Sequence, residues 1–287
     1  MKSKQLYLEW IEKYNAFGIK DNVIAELEEQ SIIPIISLRD EDYKFLGVLP
    51  PEPESATIGF LMCREPDTYT VDYNYAKSLA KTGKKLRFLT YKNNISQMNE
   101  VDGIMLPGGR FPSPAEFYTD PLKKSDAVPG SRAHAYITSI TEAIKDNKPI
   151  FGVCAGAQMV AGVLGEKLYR NVKTYTDTDL EHKTEILDAH KVYIYPDSPI
   201  YEMFQEKEIT VNSRHIEALI NNGKMKNLEL YAVAPDGIPE AWGSREKNIL
   251  CIQWHPEDFA VQGNTGAQSL YDWLGNKAQH YHDDKTR

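Results

Sequence analysis

From Ala56 onward the chain alternates short apolar runs with stretches whose apolar residues recur every three or four positions. That is the pattern of a sheet of parallel strands covered by helices on both faces. "ATIGFLMC", "LRFLTY", "VDGIMLPGG" and "KPIFGVC" read as strands. "YNYAKSLAKTG", closed by Gly83, "RAHAYITSITEAIKDN" and "AQMVAGVLG" read as helices. The second half changes character: "KVYIY", "EITVNS", "LELYAVAP", "PEAWG" and "ILCIQWHP" are rich in β-branched and aromatic residues with turn signals between them. Those segments predict mixed or antiparallel strands added to the same sheet. "GAQSLYDWLGNKAQ" predicts a last helix, and the polar tail "HYHDDKTR" a frayed end.

The N-terminal part follows another pattern. Tyr7, Ile11, Tyr14 and Phe17 recur at helical spacing and predict a helix stopped by Gly18; Asn22 then reads as the N-cap of a second helix carrying Val23, Ile24 and Leu27. "SIIPIISL" reads as a short strand, and the proline-rich "GVLPPEPESA" as a linker, because proline breaks both helix and sheet ladders. The expected division is a helical extension with its linker over residues 1–55 and one catalytic domain over residues 56–287.

Composition narrows the function classes. A chain of 287 residues, 41% hydrophobic and 26% charged, has the balance of a soluble globular protein. A formal net charge of −8 argues against recognition of nucleic acid, which needs clustered Lys and Arg. The chain lacks an apolar run of bilayer length, and its start, "MKSKQLYLEWIEKYN", carries charges where a signal peptide would be apolar, so no membrane association and a cytoplasmic location are expected. Cys63, Cys154 and Cys251 fit neither a disulfide framework nor a zinc pattern. His134, His182 and His190 show no ligand spacing, so no metal is expected.

Three segments carry chemistry. In "FGVCAGAQMVAGVLG" Cys154 stands in a G-x-C-x-G pattern between a strand and a helix. A sharp turn there holds a nucleophile out from the backbone, needs small neighbours such as Gly152 and Gly156, and lets the helix N-terminus favour thiolate. Taken alone, the pattern fits a small buried hydrophobe equally well. In "CIQWHPEDF" His255 and Glu257 project to the same side of an extended segment, the arrangement of a base oriented by a carboxylate, although surface residues at a strand end would look alike. In "IMLPGGRFP" Gly108 and Gly109 end a strand at the carboxyl edge of the sheet. There Gly109 N–H, with Ala155 N–H, is a candidate oxyanion hole; a plain tight turn is the alternative. Arg110, directly after the pair, is a candidate partner for a substrate carboxylate.

With Cys154, His255 and Glu257 in that order, the chain resembles the class I glutamine amidotransferase-like superfamily. "GVCAGAQ", "LGEKLYR", "VNSRH", "VAPDGIPEAW" and "IQWHPE" make it similar to the gamma-glutamyl hydrolase branch, which includes gamma-glutamyl-gamma-aminobutyrate hydrolases. The resemblance spans roughly Ala56 to Leu274 and implies an α/β, flavodoxin-like three-layer sandwich, its central sheet mostly parallel with added antiparallel strands. It further implies a Cys154–His255–Glu257 triad that cleaves gamma-glutamyl bonds through a thioester without a cofactor. Gly108, Gln158 and the loop Ser213, Arg214 and His215 are then expected to line the glutamyl pocket. The expected partner is a small gamma-glutamyl substrate or glutamine; a homodimer is left open.

The chain departs from the family pattern at two places. Ala155 follows the nucleophile where relatives often carry a large basic residue, and "HIE", His215 to Glu217, replaces a common "HHQ". A carboxylate at Glu217 is expected to favour an amine-bearing leaving group and to repel an acidic one. Two other functions remain open at this stage: a glutaminase subunit that passes ammonia to a separate synthetase, and a binding module that has lost catalysis.

Overall fold

The structure is a computed structural model and describes residues 2–92, 94–110, 113–119, 128, 130–176, 178–221, 223 and 225–287. From the N-terminus run β1 (Ser3–Tyr7), β2 (Glu9–Ile11), β3 (Ala16–Lys20), α1 (Asp21–Glu29), β4 (Ile33–Ser37) and α2 (Asp40–Phe45). Next come β5 (Thr57–Leu61), β6 (Cys63–Glu65), β7 (Thr68–Asp72), α3 (Tyr73–Ala80), β8 (Lys85–Leu89), α4 (Asn94–Met98) and β9 (Gly103–Leu106). The middle of the chain forms α5 (Arg132–Lys145), β10 (Ile150–Val153), α6 (Ala155–Val163), β11 (Leu168–Tyr169) and α7 (Val172–Tyr175). β12 (His190–Ile194), α8 (Pro199–Phe204), β13 (Glu208–Val211), β14 (Ala218–Leu219) and β15 (Glu229–Val233) follow. β16 (Pro239–Ser244), β17 (Ile249–Ile252), α9 (Glu257–Ala260) and α10 (Thr265–Thr286) end it.

An eleven-stranded sheet crosses the fold in the order β1-β4-β8-β5-β9-β10-β17-β16-β15-β12-β13. Its middle, β8-β5-β9-β10-β17, is parallel throughout. Counted along the chain those five strands stand in the order 2-1-3-4-5, the flavodoxin-like doubly wound arrangement. The strands of this part read as unbroken apolar runs because both faces are covered: every residue of β9, β10 and β17 is buried. Helices α4, α5 and α6 pack together against one face of the parallel part; α3, α8, α9 and α10 form the layer that meets the other. The strands after β10 add antiparallel neighbours, β17-β16-β15-β12-β13, as their aromatic and β-branched composition predicts.

The helix expected over Tyr7 to Phe17 is not formed. β1 joins the large sheet beside β4, while β2 and β3 belong to a separate four-stranded sheet with β7 and β6. The spacing of Tyr7, Ile11, Tyr14 and Phe17 matched a helical period by coincidence. Trp10 and Phe17 are cross-strand partners with ring centroids 5.3 Å apart, a pairing that strands allow and a helix does not. Gly18 is no helix stop either: it sits in β3, where a Cβ would lie 2.9 Å from Tyr69 O. The second predicted helix exists as α1, capped at Lys20 and not at Asn22.

The tail is not frayed. α10 runs to Thr286, and His282 Nδ1 lies 3.0 Å from Asp102 Oδ2, whose same oxygen accepts the Thr57 N–H at 2.9 Å. That contact ties the end of α10 to the start of β5. Cys251 is fully buried in β17, as expected for a core strand, and burial pushes its thiol pKa up. Among the described residues no helix is long and apolar enough to cross a membrane.

Candidate active site

β9, β10 and β17 end at the same edge of the sheet, and each delivers one part of the site, as open α/β sheets do at the carboxyl ends of their strands. Cys154 follows β10 directly and is the N-cap of α6, with φ 50° and ψ −113°. A non-glycine residue in that region is strained by about 1–3 kcal/mol and persists only where the surroundings enforce it. They do so here by close approach. A Cβ on Gly156 would stand 2.1 Å from Leu106 O, and one on Gly152 would stand 2.9 Å from Ala157 N, so only glycines let α6 start hard against β9 and β10. The result is a cysteine only 8% exposed, held at a helix N-terminus.

His255 lies three residues beyond β17. Its Nδ1 is 2.6 Å from Glu257 Oε1, and Tyr271 OH donates to the other carboxylate oxygen at 3.5 Å. The ring also stands beside Cys154: a Cβ placed on Gly108 would meet His255 Cε1 at 2.9 Å and Cys154 Cβ at 3.0 Å. Burial alone would lower the imidazole pKa, but the Glu257 charge and the neighbouring Cys154 sulfur, each also hydrogen-bonded to the ring, raise it well above its ordinary value. A cationic ring between a carboxylate and a sulfur can stabilise thiolate and donate a proton.

Gly108 and Gly109 follow β9, and their peptide is fixed from behind. Arg132 Nη2 donates to Gly108 O at 2.6 Å and to Tyr136 OH at 2.9 Å, while Gly108 N–H donates to Tyr75 OH at 3.2 Å. In a trans peptide the C=O and the following N–H point in opposite directions, so Arg132 turns Gly109 N–H away from itself. Gly109 has φ 136°, a conformation that favours glycine. Ala155 is the first residue of α6, where no intrahelical acceptor exists for its N–H.

A cavity of about 260 Å³ opens over Cys154 and Ala155, with Gly109, Arg110, Gln158, Arg170, Lys183, Arg214 and Glu217 among the residues around it. Four of these side chains are basic. Glu217 is the acidic one; burial raises its carboxyl pKa, and Tyr118 OH donates to its Oε2 at 2.7 Å. Arg170 lies over the Tyr118 ring, 3.9 Å from its centroid.

Of the residues expected to line the pocket, Arg110 and Arg214 reach the cavity from exposed positions, and Arg214 Nη2 also pairs with Asp258 at 2.8 Å. Gln158 faces it too, but its Nε2 donates to Glu217 O at 2.8 Å and Gln253 Oε1 at 3.0 Å, which makes it a strut for the pocket wall. Ser213 does not line it: its buried hydroxyl donates to His182 O at 2.8 Å. His215 borders the cavity with a ring only 2% exposed, whose Nδ1 is 2.9 Å from Glu217 O.

Several contributors escape a reading of the sequence. Asn212, fully buried, receives His255 N–H at 2.7 Å and donates to His255 O at 2.9 Å. It belongs to the "VNSRH" segment that points to the pocket, so its position was visible though its role was not. Arg132 and Tyr75 gave no signal, since their spacing matches only a helix face. One grouping has no counterpart in the residue spacing. His182, His190 and His215 converge on Glu240, with their ligand atoms within 4.8 Å of one another.

The fold is that of a class I glutamine amidotransferase-like protein. The chain belongs to the Peptidase C26 family, whose profile matches residues 64–257. Protein NtpR of Enterococcus hirae is 32% identical to it over 189 residues, 64% of this chain and 77% of that protein. The glutamine amidotransferase-like protein YvdE of Lactococcus lactis is 30% identical over 161 residues, 55% of this chain and 66% of the relative. Among solved structures, a glutamine amidotransferase from Thermotoga maritima superimposes with a TM-score of 0.56 at 14% identity, covering 78% of this chain and 98% of that one. At that identity the likeness concerns the fold.

Proposed function

We propose that the protein is a cysteine-dependent amide hydrolase that cleaves gamma-glutamyl bonds of small gamma-glutamyl compounds. The observation that carries this reading is the strained Cys154, which opens onto a basic cavity and stands beside a His255 ring that is itself held 2.6 Å from Glu257. In the proposed reaction the Cys154 thiolate attacks the gamma-carbonyl and the oxyanion is received by Gly109 N–H and Ala155 N–H. Imidazolium at His255 gives its proton to the leaving amine as the C–N bond breaks, leaving a thioester on Cys154. Water, deprotonated by the same ring, then hydrolyses the thioester to glutamate and restores the pair. Glu257 keeps the ring in one tautomer and stabilises its cation.

Recognition follows from charge. Arg110 and Arg214 suit the carboxylate of a glutamyl group, and Glu217 suits an ammonium, either on the glutamyl moiety or on the leaving group. Glu217 is half-buried, accepts from Tyr118 and lies within the field of Arg170, and its carboxylate on the cavity wall suits a cationic substrate group.

The test is turnover of purified protein on a panel of gamma-glutamyl amines and on glutamine, with release of glutamate as the readout and Cys154→Ala as control. Cleavage of the amines with loss in the control supports the reading. Equal turnover by the control removes Cys154 from the mechanism, and turnover of glutamine alone moves the assignment to an ammonia-delivering glutaminase.

A further inference from the structure

Beneath the pocket wall lies a second cluster that the proposed hydrolysis does not use. His182 Nδ1, His190 Nε2 and His215 Nε2 stand 3.6, 3.6 and 3.5 Å from Glu240 Oε1. The four residues are 3%, 5%, 4% and 0% exposed. None of these three nitrogens, and neither oxygen of Glu240, has a hydrogen-bond partner among the described residues. Leaving five buried polar atoms unsatisfied around one carboxylate is expensive, and buried carboxylates are ordinarily paired or bound to a metal.

The distances discriminate between those two solutions. A hydrogen bond from nitrogen to oxygen is about 2.7–3.2 Å long, shorter than any of the three separations. Ligands at about 2.0–2.1 Å from a tetrahedral ion lie about 3.3–3.4 Å from one another. The three nitrogens stand 3.5–3.6 Å from Glu240 Oε1, and all four ligand atoms lie within 4.8 Å of one another, a set that a small inward shift of the rings closes on an ion. Orientation agrees. The other nitrogen of each ring already has an acceptor: His182 Nε2 on Asp236 at 2.9 Å, His190 Nδ1 on Lys191 O at 3.0 Å, and His215 Nδ1 on Glu217 O at 2.9 Å. That fixes the tautomer of each ring and turns a lone pair toward Glu240, as the outer hydrogen bonds of metal-bound histidines do. Glu240 with Asp236 supplies two negative charges, which balance a dication.

The geometry points to a binding site for a divalent transition metal, zinc being the ion that three imidazoles and one carboxylate in a closed tetrahedron suit best. The site is structural, because four buried protein ligands leave no open position for water or substrate. Its place in the fold gives it a task. It joins the segment at His182, strand β12, the loop ending in Glu217 and strand β16, so the ion clamps the loop that carries Arg214 and Glu217 against the sheet. This inference stands whatever amide the pocket accepts.

The test is metal content and metal binding of the full chain. Protein purified without chelator is assayed for bound metals by plasma mass spectrometry; chelator-treated protein is then titrated with zinc against a chromophoric competitor, and with cobalt followed by visible absorption. About one equivalent of zinc per chain, with the intense bands of four-coordinate cobalt, is expected. Glu240→Gln and His190→Ala should weaken zinc binding at least a hundredfold, and His280→Ala, on the exposed face of α10, should leave it unchanged. If either ligand variant is insoluble, the wild-type titration decides. Absence of stoichiometric metal together with no saturable binding by the chelator-treated wild type overturns the proposal, as does six-coordinate cobalt or equal binding by soluble ligand variants.

Discussion

Asn212 grips His255 by both of its main-chain polar groups, accepting from the N–H at 2.7 Å and donating to the C=O at 2.9 Å. A side chain that copies a strand partner in this way fixes where the ring begins, while Glu257 fixes where it points. Asn212→Ala leaves two buried backbone groups without partners and should cost about 2 kcal/mol of stability. Turnover should fall more than tenfold with little change in KM, because the substrate contacts remain. Denaturant unfolding and steady-state kinetics measure the two effects separately; unchanged kcat would detach Asn212 from the placement of the ring.

The strain at Cys154 is open to a comparison of two inactive variants. Cys154→Gly and Cys154→Ala both remove the sulfur, but only glycine relieves a Cβ held at φ 50° and ψ −113°. Strain of about 1–3 kcal/mol, set against the extra freedom glycine brings to the unfolded chain, leaves the glycine variant more stable by about 1 kcal/mol. Thermal melts of the pair read this directly. An alanine variant as stable as the glycine variant would show that the elbow stores no strain.

Glu257 and Cys154 raise the pKa of His255 above its ordinary value, so imidazolium persists to higher pH than in a free histidine. A raised pKa in the folded state means that the associated stability is complete below the ordinary histidine value and fades as pH rises through the raised one. The alkaline limb of kcat/KM should follow the same titration, since the proton for the leaving amine is lost there. Glu257→Gln removes the charge and should move that limb toward lower pH while reducing turnover. A pH–rate profile superimposable on the wild type would exclude Glu257 from control of the ring.

Glu217 should decide between leaving groups. With the carboxylate present, substrates whose amine carries a second positive charge should be preferred over those ending in a carboxylate. Glu217→Gln should lower that preference about tenfold, a difference of about 1.4 kcal/mol. The ratio of kcat/KM for a gamma-glutamyl diamine and a gamma-glutamyl amino acid measures it, and an unaltered ratio would place the selective contact elsewhere.

The parallel part of the fold was legible because its strands are unbroken apolar runs between helical stretches, and that pattern has few other solutions. The convergence of Cys154, His255 and Glu257 was legible for a related reason: each sits in a short local signature, and the fold brings together what the ends of β10 and β17 deliver. What stayed hidden depends on contacts between distant segments. Trp10 and Phe17 pair across strands, yet with their neighbours they match a helical period. Arg132 reaches Gly108 from the face of a helix. His182, His190, His215 and Glu240 are scattered along the chain, and only the register of β12, β16 and the 213–217 loop gathers them.

β1 forms one margin of the large sheet, with β4 as its single neighbour. The outermost strand of any sheet offers an unfilled row of main-chain donors and acceptors, onto which another polypeptide can add. Lys2 and Lys4 are exposed along this margin. A second copy approaching this margin with its own β1 would have to crowd its ammonium groups against them, so a residue pattern with no part in the pocket disfavours pairing of the margin with itself.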